Sequence, residues 1–193
     1  MKKIISILAF AALAFSFASC GKSDSGTDPT PAPTPSAQSY NCRISVKVNI
    51  NESLREMFDF KGSKLVYGSK EIDLANALET IQSFSEPDLV CDTPCNTSLK
   101  LSLTSKDFTP VDGTLYDAVM DISYIVTVTE KNSGETVSTV VKPGGGSFIG
   151  IDFKKAREQG KSVSAVLSSL KKALEFDEAF SVSKDGKITN LSK

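Results

Sequence analysis

The clearest pattern in the chain lies at Asn41 to Ile50, where Cys42, Ile44, Val46, Val48 and Ile50 alternate with Arg43, Ser45, Lys47 and Asn49. A period of two puts one set of side chains on each face, so this stretch predicts a strand buried on one side. Leu99, Leu101 and Leu103 alternate with Ser98, Lys100 and Ser102 in the same way. A third alternating run, Met120, Ile122, Tyr124, Val126 and Val128, meets Lys131-Asn132-Ser133-Gly134 and returns through Val137, Thr139 and Val141, which predicts a long hairpin over residues 120–141. Lys64 to Tyr67 and Lys70 to Ile72 flank Gly68-Ser69, whose leading glycine suits a type II′ hairpin.

The period changes to helical where Val163, Val166, Leu167, Leu170 and Leu174 recur behind the capping residue Ser162. A shorter helix is expected from Asp152 to Gln159, stopped by Gly160, and another behind Asp73 carrying Leu74, Leu78 and Ile81. Phe180, Val182, the Asp185-Gly186 turn and Ile188 to Leu191 read as a closing hairpin. Glu86 to Asn96, with two prolines and two cysteines, is expected to be a loop and a candidate binding surface, Lys106 to Asp117 a turn-rich connection, and Gly144 to Gly146 a flexible loop. The expected fold is mainly β with α: an antiparallel, sandwich-like sheet with a C-terminal amphipathic helix packed on its open face and a hairpin on an edge.

The first 39 residues follow a different pattern. Lys2 and Lys3 precede an apolar run from Ile4 to Phe17, which Ala18 and Ser19 join to Cys20. A spanning helix needs about 20 apolar residues, so the run reads as a removable export signal. From Gly21 to Ser39 no aliphatic residue exceeds Ala, and Pro29, Pro31, Pro33 and Pro35 alternate with small residues. Such a segment buries too little apolar surface to fold, and at about 3.1 Å per residue it reaches up to about 60 Å. The domain bounds are therefore signal over 1–19, cysteine and tether over 20–39, and one β-rich domain over 40–193.

Phe17-Ala18-Ser19-Cys20 resembles the lipobox of bacterial lipoproteins. The resemblance implies cleavage before Cys20, a thioether-linked diacylglycerol on its sulfur and acylation of the new amino group. Two or three acyl chains hold a protein stably at a bilayer where one does so marginally. Gly21, in place of an Asp, implies the outer membrane under the family's sorting rule. The Gly-Lys-Ser-Asp start and the Ser/Thr/Pro tether are similar to small lipoproteins of Bacteroidota-type bacteria, which leaves both the cell surface and the periplasmic face open.

Charge and chemistry narrow the function. The chain carries 22 Lys and Arg against 23 Asp and Glu with no strong basic cluster, so nucleic acid is not an expected partner. It has no histidine, which removes the commonest general base and metal ligand, and no cofactor is expected. Asp107, Asp112, Asp117 and Asp121 lack the Asp-x-Asp-x-Asp-Gly run of a calcium loop. Cys42, Cys91 and Cys95 include no Cys-x-x-Cys pair, and their spacing is not that of a zinc site. In an oxidising compartment, Cys91–Cys95 is the disulfide favoured by proximity, worth about 2 kcal/mol of loop entropy. Cys42 bonded to either closes a loop worth about 4, while a Cys42 that only packs in the core is an equal alternative. No catalytic residue is assigned. The function expected is a lipid-anchored, non-enzymatic binding or interaction module, with a structural or assembly subunit of an envelope complex as alternative. A chain with no Trp and four Tyr favours a protein partner over a glycan.

Overall fold

The computed structural model describes residues 38–192. The segments expected to be a signal and a tether, with Cys20 between them, lie outside the described residues. Among the described residues the architecture is mainly β with four helices, and every strand pairing is antiparallel.

Strand β1 (Tyr40–Ile50) buries Cys42, Ile44, Val46, Val48 and Ile50, as its alternation requires. It runs between β5 (Ser83–Asp92) and β8 (Leu115–Glu130), and β9 (Thr136–Asp152) follows, giving the order β5-β1-β8-β9. The second sheet contains β3 (Lys64–Tyr67), β4 (Lys70–Asp73), β6 (Cys95–Leu101), β10 (Phe176–Val182) and β11 (Ile188–Asn190), in the order β11-β10-β6-β3-β4. Two short strands, β2 (Phe58–Asp59) and β7 (Thr104–Ser105), pair separately. The inward residues of both sheets enter one hydrophobic core. Tyr124 of β8 meets Phe180 of β10 with ring centroids 5.8 Å apart, and its hydroxyl lies 2.7 Å from that of Thr97 on β6. Each such fully buried aliphatic or aromatic side chain contributes about 1.5–3 kcal/mol over exposure.

The helices start where side chains satisfy free backbone N–H groups. Asn51 accepts from Leu54 N ahead of α1 (Glu52–Met57), and Asp73 accepts from Ala75 N at the start of α2 (Ala75–Thr80). Asp152 caps α3 (Phe153–Glu158), and Ser162 caps α4 (Val163–Leu174). Helix α4 buries Leu167, Leu170 and Leu174 and lies beside α3, β7 and β9. Phe153 at the start of α3 joins Phe108 and Tyr116 in an aromatic cluster with centroids 5.3–5.6 Å apart. Among the described residues no helix is long and apolar enough to cross a membrane.

Three sequence expectations need correction. Glu86 to Asn96 is not a loop: it is strand as far as Asp92 and again from Cys95. Pro87 is accommodated because the register with β1 shifts between Ile44 and Val46, and Asp88 in that bulge takes φ +60°. An edge strand with a bulge tolerates a missing N–H that a central ladder would not. Gly144 to Gly146 is likewise strand, paired with Ile122, Asp121 and Met120. The glycines leave room for their neighbours: a Cβ on Gly144 would lie 2.4 Å from the Phe176 ring, and one on Gly145, at φ +93°, 1.7 Å from the Met120 carbonyl oxygen. Finally, the connection after Lys106 ends early, since β8 starts at Leu115 and the hairpin with β9 runs on to Asp152.

Candidate functional site

Three thiols, two of them four residues apart and the third from a distant strand, meet at one end of the two sheets. Cys42 is placed by the inward register of β1, and the antiparallel ladder sets Cys91 of β5 directly opposite it. Two residues later the chain turns at Thr93-Pro94 and enters the second sheet, where Cys95 heads β6. Thr93 fastens this corner by donating from its N–H and its hydroxyl to the Tyr40 carbonyl, at 3.3 and 3.2 Å. The three Sγ atoms all lie within 4.8 Å of one another, with Cys91 and Cys95 at 3.0 Å. All three cysteines are free thiols in this structure.

The cluster is buried unevenly. Cys42 is fully enclosed and Cys95 nearly so, while Cys91 is half-buried. The β3–β4 turn closes over Cys91 at Gly68, where an added Cβ would stand 3.2 Å from the Cys91 Cβ. Gly68 N donates to the Asn96 carbonyl at 2.8 Å, which fixes the turn against the corner. A shallow cavity of about 440 Å³ opens here, lined by Gly68, Ser69, Asp92, Pro94 and Asn96 as well as Cys91 and Cys95. The Asp92 carboxylate is engaged by Lys131 Nζ at 2.8 Å.

Mutual hydrogen bonding separates the three acidities. Bonds from Cys42 and then Cys95 stabilise a thiolate at Cys91 and bring its pKa down to about 4. The same bonds with Cys91 and Cys95, followed by burial, push the Cys42 thiol far above the ordinary range. The Cys42 hydrogen bond lowers Cys95, but its bond to Cys91, burial and repulsion from Cys91 outweigh this and set it at about 11. Thiolate character is thus favoured at Cys91, which borders the cavity together with Cys95.

Of the residues singled out from the sequence, Cys91 and Cys95 are brought together, and Cys20 lies outside the described residues. Whether Cys42 joins that pair or only packs in the core was left open by spacing, and the structure places its sulfur in the same cluster. Its inward register on β1 was visible, but the signal becomes readable only when Cys91 is known to occupy a strand paired with β1.

A second surface feature is the outer strand β9, which pairs with β8 on one side and exposes Val137 and Val141. Pro143 removes one N–H from this strand. Of the tyrosines, Tyr116 and Tyr124 are buried, and Tyr40 lines a separate cavity with Gln38, Lys184 and Asp185. No family model matches this chain, and no curated protein or solved structure was found to match it.

Proposed function

We propose that the chain is a lipid-anchored cell-envelope protein whose domain over 40–193 is a non-enzymatic binding or interaction module. The observation that carries this reading is Cys20 at the end of Phe17-Ala18-Ser19, with a basic and apolar leader before it and a proline tether behind it. The anchor supplies the membrane as one partner, at the outer membrane, and the tether gives the domain reach on either the cell-surface or the periplasmic side. Within the domain, the two sheets are proposed to stack as a sandwich with α4 packed on the open sheet face; Tyr124 against Phe180 and Thr97 supports the stacking. A protein partner ranks ahead of a glycan because Tyr116 and Tyr124 spend their rings in the core rather than on a binding platform.

The alternative, a structural or assembly subunit of an envelope complex or surface fibre, is favoured by β9, an outer strand with exposed Val137 and Val141 that another chain could extend. Intact-mass and peptide analysis of the mature protein tests the anchor: the N-terminal residue is expected to be an acylated, diacylglyceryl-modified Cys20. An unmodified cysteine or a different N-terminus would remove the premise. Cross-linking in whole cells then separates the alternatives, since a module yields a heterologous partner and a fibre subunit yields ladders of this chain.

A further inference from the structure

We propose that Cys42, Cys91 and Cys95 together form a binding site for a soft monovalent cation, with Cu(I) as the ion that fits. Three sulfurs converge from β1, β5 and β6, all within 4.8 Å of one another. Sulfurs bound to one ion at about 2.3 Å stand about 4 Å apart, so the observed triangle needs only small side-chain rotations to close on a metal. Two of the three backbones are held in a ladder with each other, and Cys95 is held by its pairing with Val182. The donors are thus positioned by the sheets before any ion arrives.

The donor set selects the ion. Thiolates without imidazole favour soft cations, and this chain has no histidine. A closed zinc site takes four protein ligands, and the acid that lines this cavity, Asp92, is paired with Lys131 at 2.8 Å. Cu(I) is satisfied by three sulfurs alone. The route in is the cavity beside Cys91, bordered by Gly68, Pro94 and Asn96. Binding breaks S–H bonds, releases their protons to solvent and forms copper–sulfur bonds, with no change of oxidation state. The bound ion links the sheet of β1 and β5 to the sheet of β6, so it also stabilises the fold.

The test uses the full chain carrying Cys20→Ser, reduced and kept anaerobic, and titrated with Cu(I) against a chromophoric chelator. One equivalent should bind, with near-ultraviolet thiolate-to-copper absorption and a raised melting temperature, and the ion should protect all three cysteines from iodoacetamide together. Cys42→Ser should weaken binding by about tenfold or more, since even loss of an outer-shell partner costs that much. Because Cys42 is fully buried, Cys91→Ser, at a half-buried position, is measured alongside it, with circular dichroism to confirm that both variants fold. No uptake by the reduced chain, protection of only two cysteines, or tighter binding of Zn(II) than of Cu(I) would overturn the proposal. So would a Cys91–Cys95 disulfide that forms in air at the same rate with and without Cu(I).

Discussion

The hydroxyls of Tyr124 and Thr97 lie 2.7 Å apart, joining β8 of one sheet to β6 of the other at full burial. Thr97 already donates to the Val66 carbonyl at 2.9 Å, so Tyr124 is the donor and Thr97 the acceptor between them. The chain of hydroxyls ends on a backbone oxygen, and every member is satisfied.

That order makes the two deletions unequal. Tyr124→Phe removes the donor and leaves Thr97 bonded to Val66, at a cost of about 1 kcal/mol. Thr97→Val keeps the shape but strands a buried phenol, which costs about 2–3 kcal/mol. Urea denaturation of the two variants checks the ranking; equal losses would show that the pair is not buried as described.

Burial first, outweighing the Thr97 hydrogen bond, holds the Tyr124 phenol well above its ordinary value of 10.0. Above about pH 10 the unfolded chain releases this proton while the folded chain keeps it, so the folded state binds more protons and stability falls as pH rises. The contribution is complete below the unfolded value and is lost on passing towards the folded one. Denaturation series from pH 8 to 11 should therefore show a steeper alkaline decline for the native chain than for Tyr124→Phe.

The glycines of β9 give a steric test. Gly145→Ala would drive a Cβ to 1.7 Å from the Met120 carbonyl oxygen at φ +93°, and the backbone there cannot yield cheaply. A loss of about 3 kcal/mol or more is expected. Gly144→Ala meets instead the ring of Phe176 at 2.4 Å, so shortening that side chain should relieve it. In a double-mutant cycle with Phe176→Leu, the two substitutions should together cost less than the sum of their separate effects by about 1 kcal/mol. Strict additivity would contradict the packing of β9 on β10.

Val137 and Val141 are exposed on the outer strand, so Val137→Lys and Val141→Lys should change stability by no more than about 0.5 kcal/mol. If β9 is an assembly edge, the same charges should abolish the ladders seen on cross-linking. Thermal unfolding and cross-linking of one preparation read both outcomes.

Much of the local structure was legible because its signals are local. The alternation of Cys42 to Ile50 and of Met120 to Val128 marks strands with one buried face, and Ser162 ahead of the Val163, Leu167, Leu170 and Leu174 stripe marks a capped helix. The Gly68-Ser69 turn is where its glycine places it, with φ +58°. Glu86 to Asn96 misled because proline and cysteine signal a loop in isolation. Whether Pro87 breaks a strand depends on a partner, and here a bulge opposite β1 absorbs it. The glycines of β9 misled for the same reason, since the need for them lies in Phe176 and the Met120 carbonyl.

The amino-acid order alone thus determined which segments alternate, where helices begin and the proposed anchoring motif at Cys20, because period and capping act over a few neighbouring residues. Only the tertiary structure decided that Cys42 stands opposite Cys91 and that Cys95 turns back onto both. Register between strands tens of residues apart is set by the burial of whole faces and by bulges, and no spacing along the chain records it.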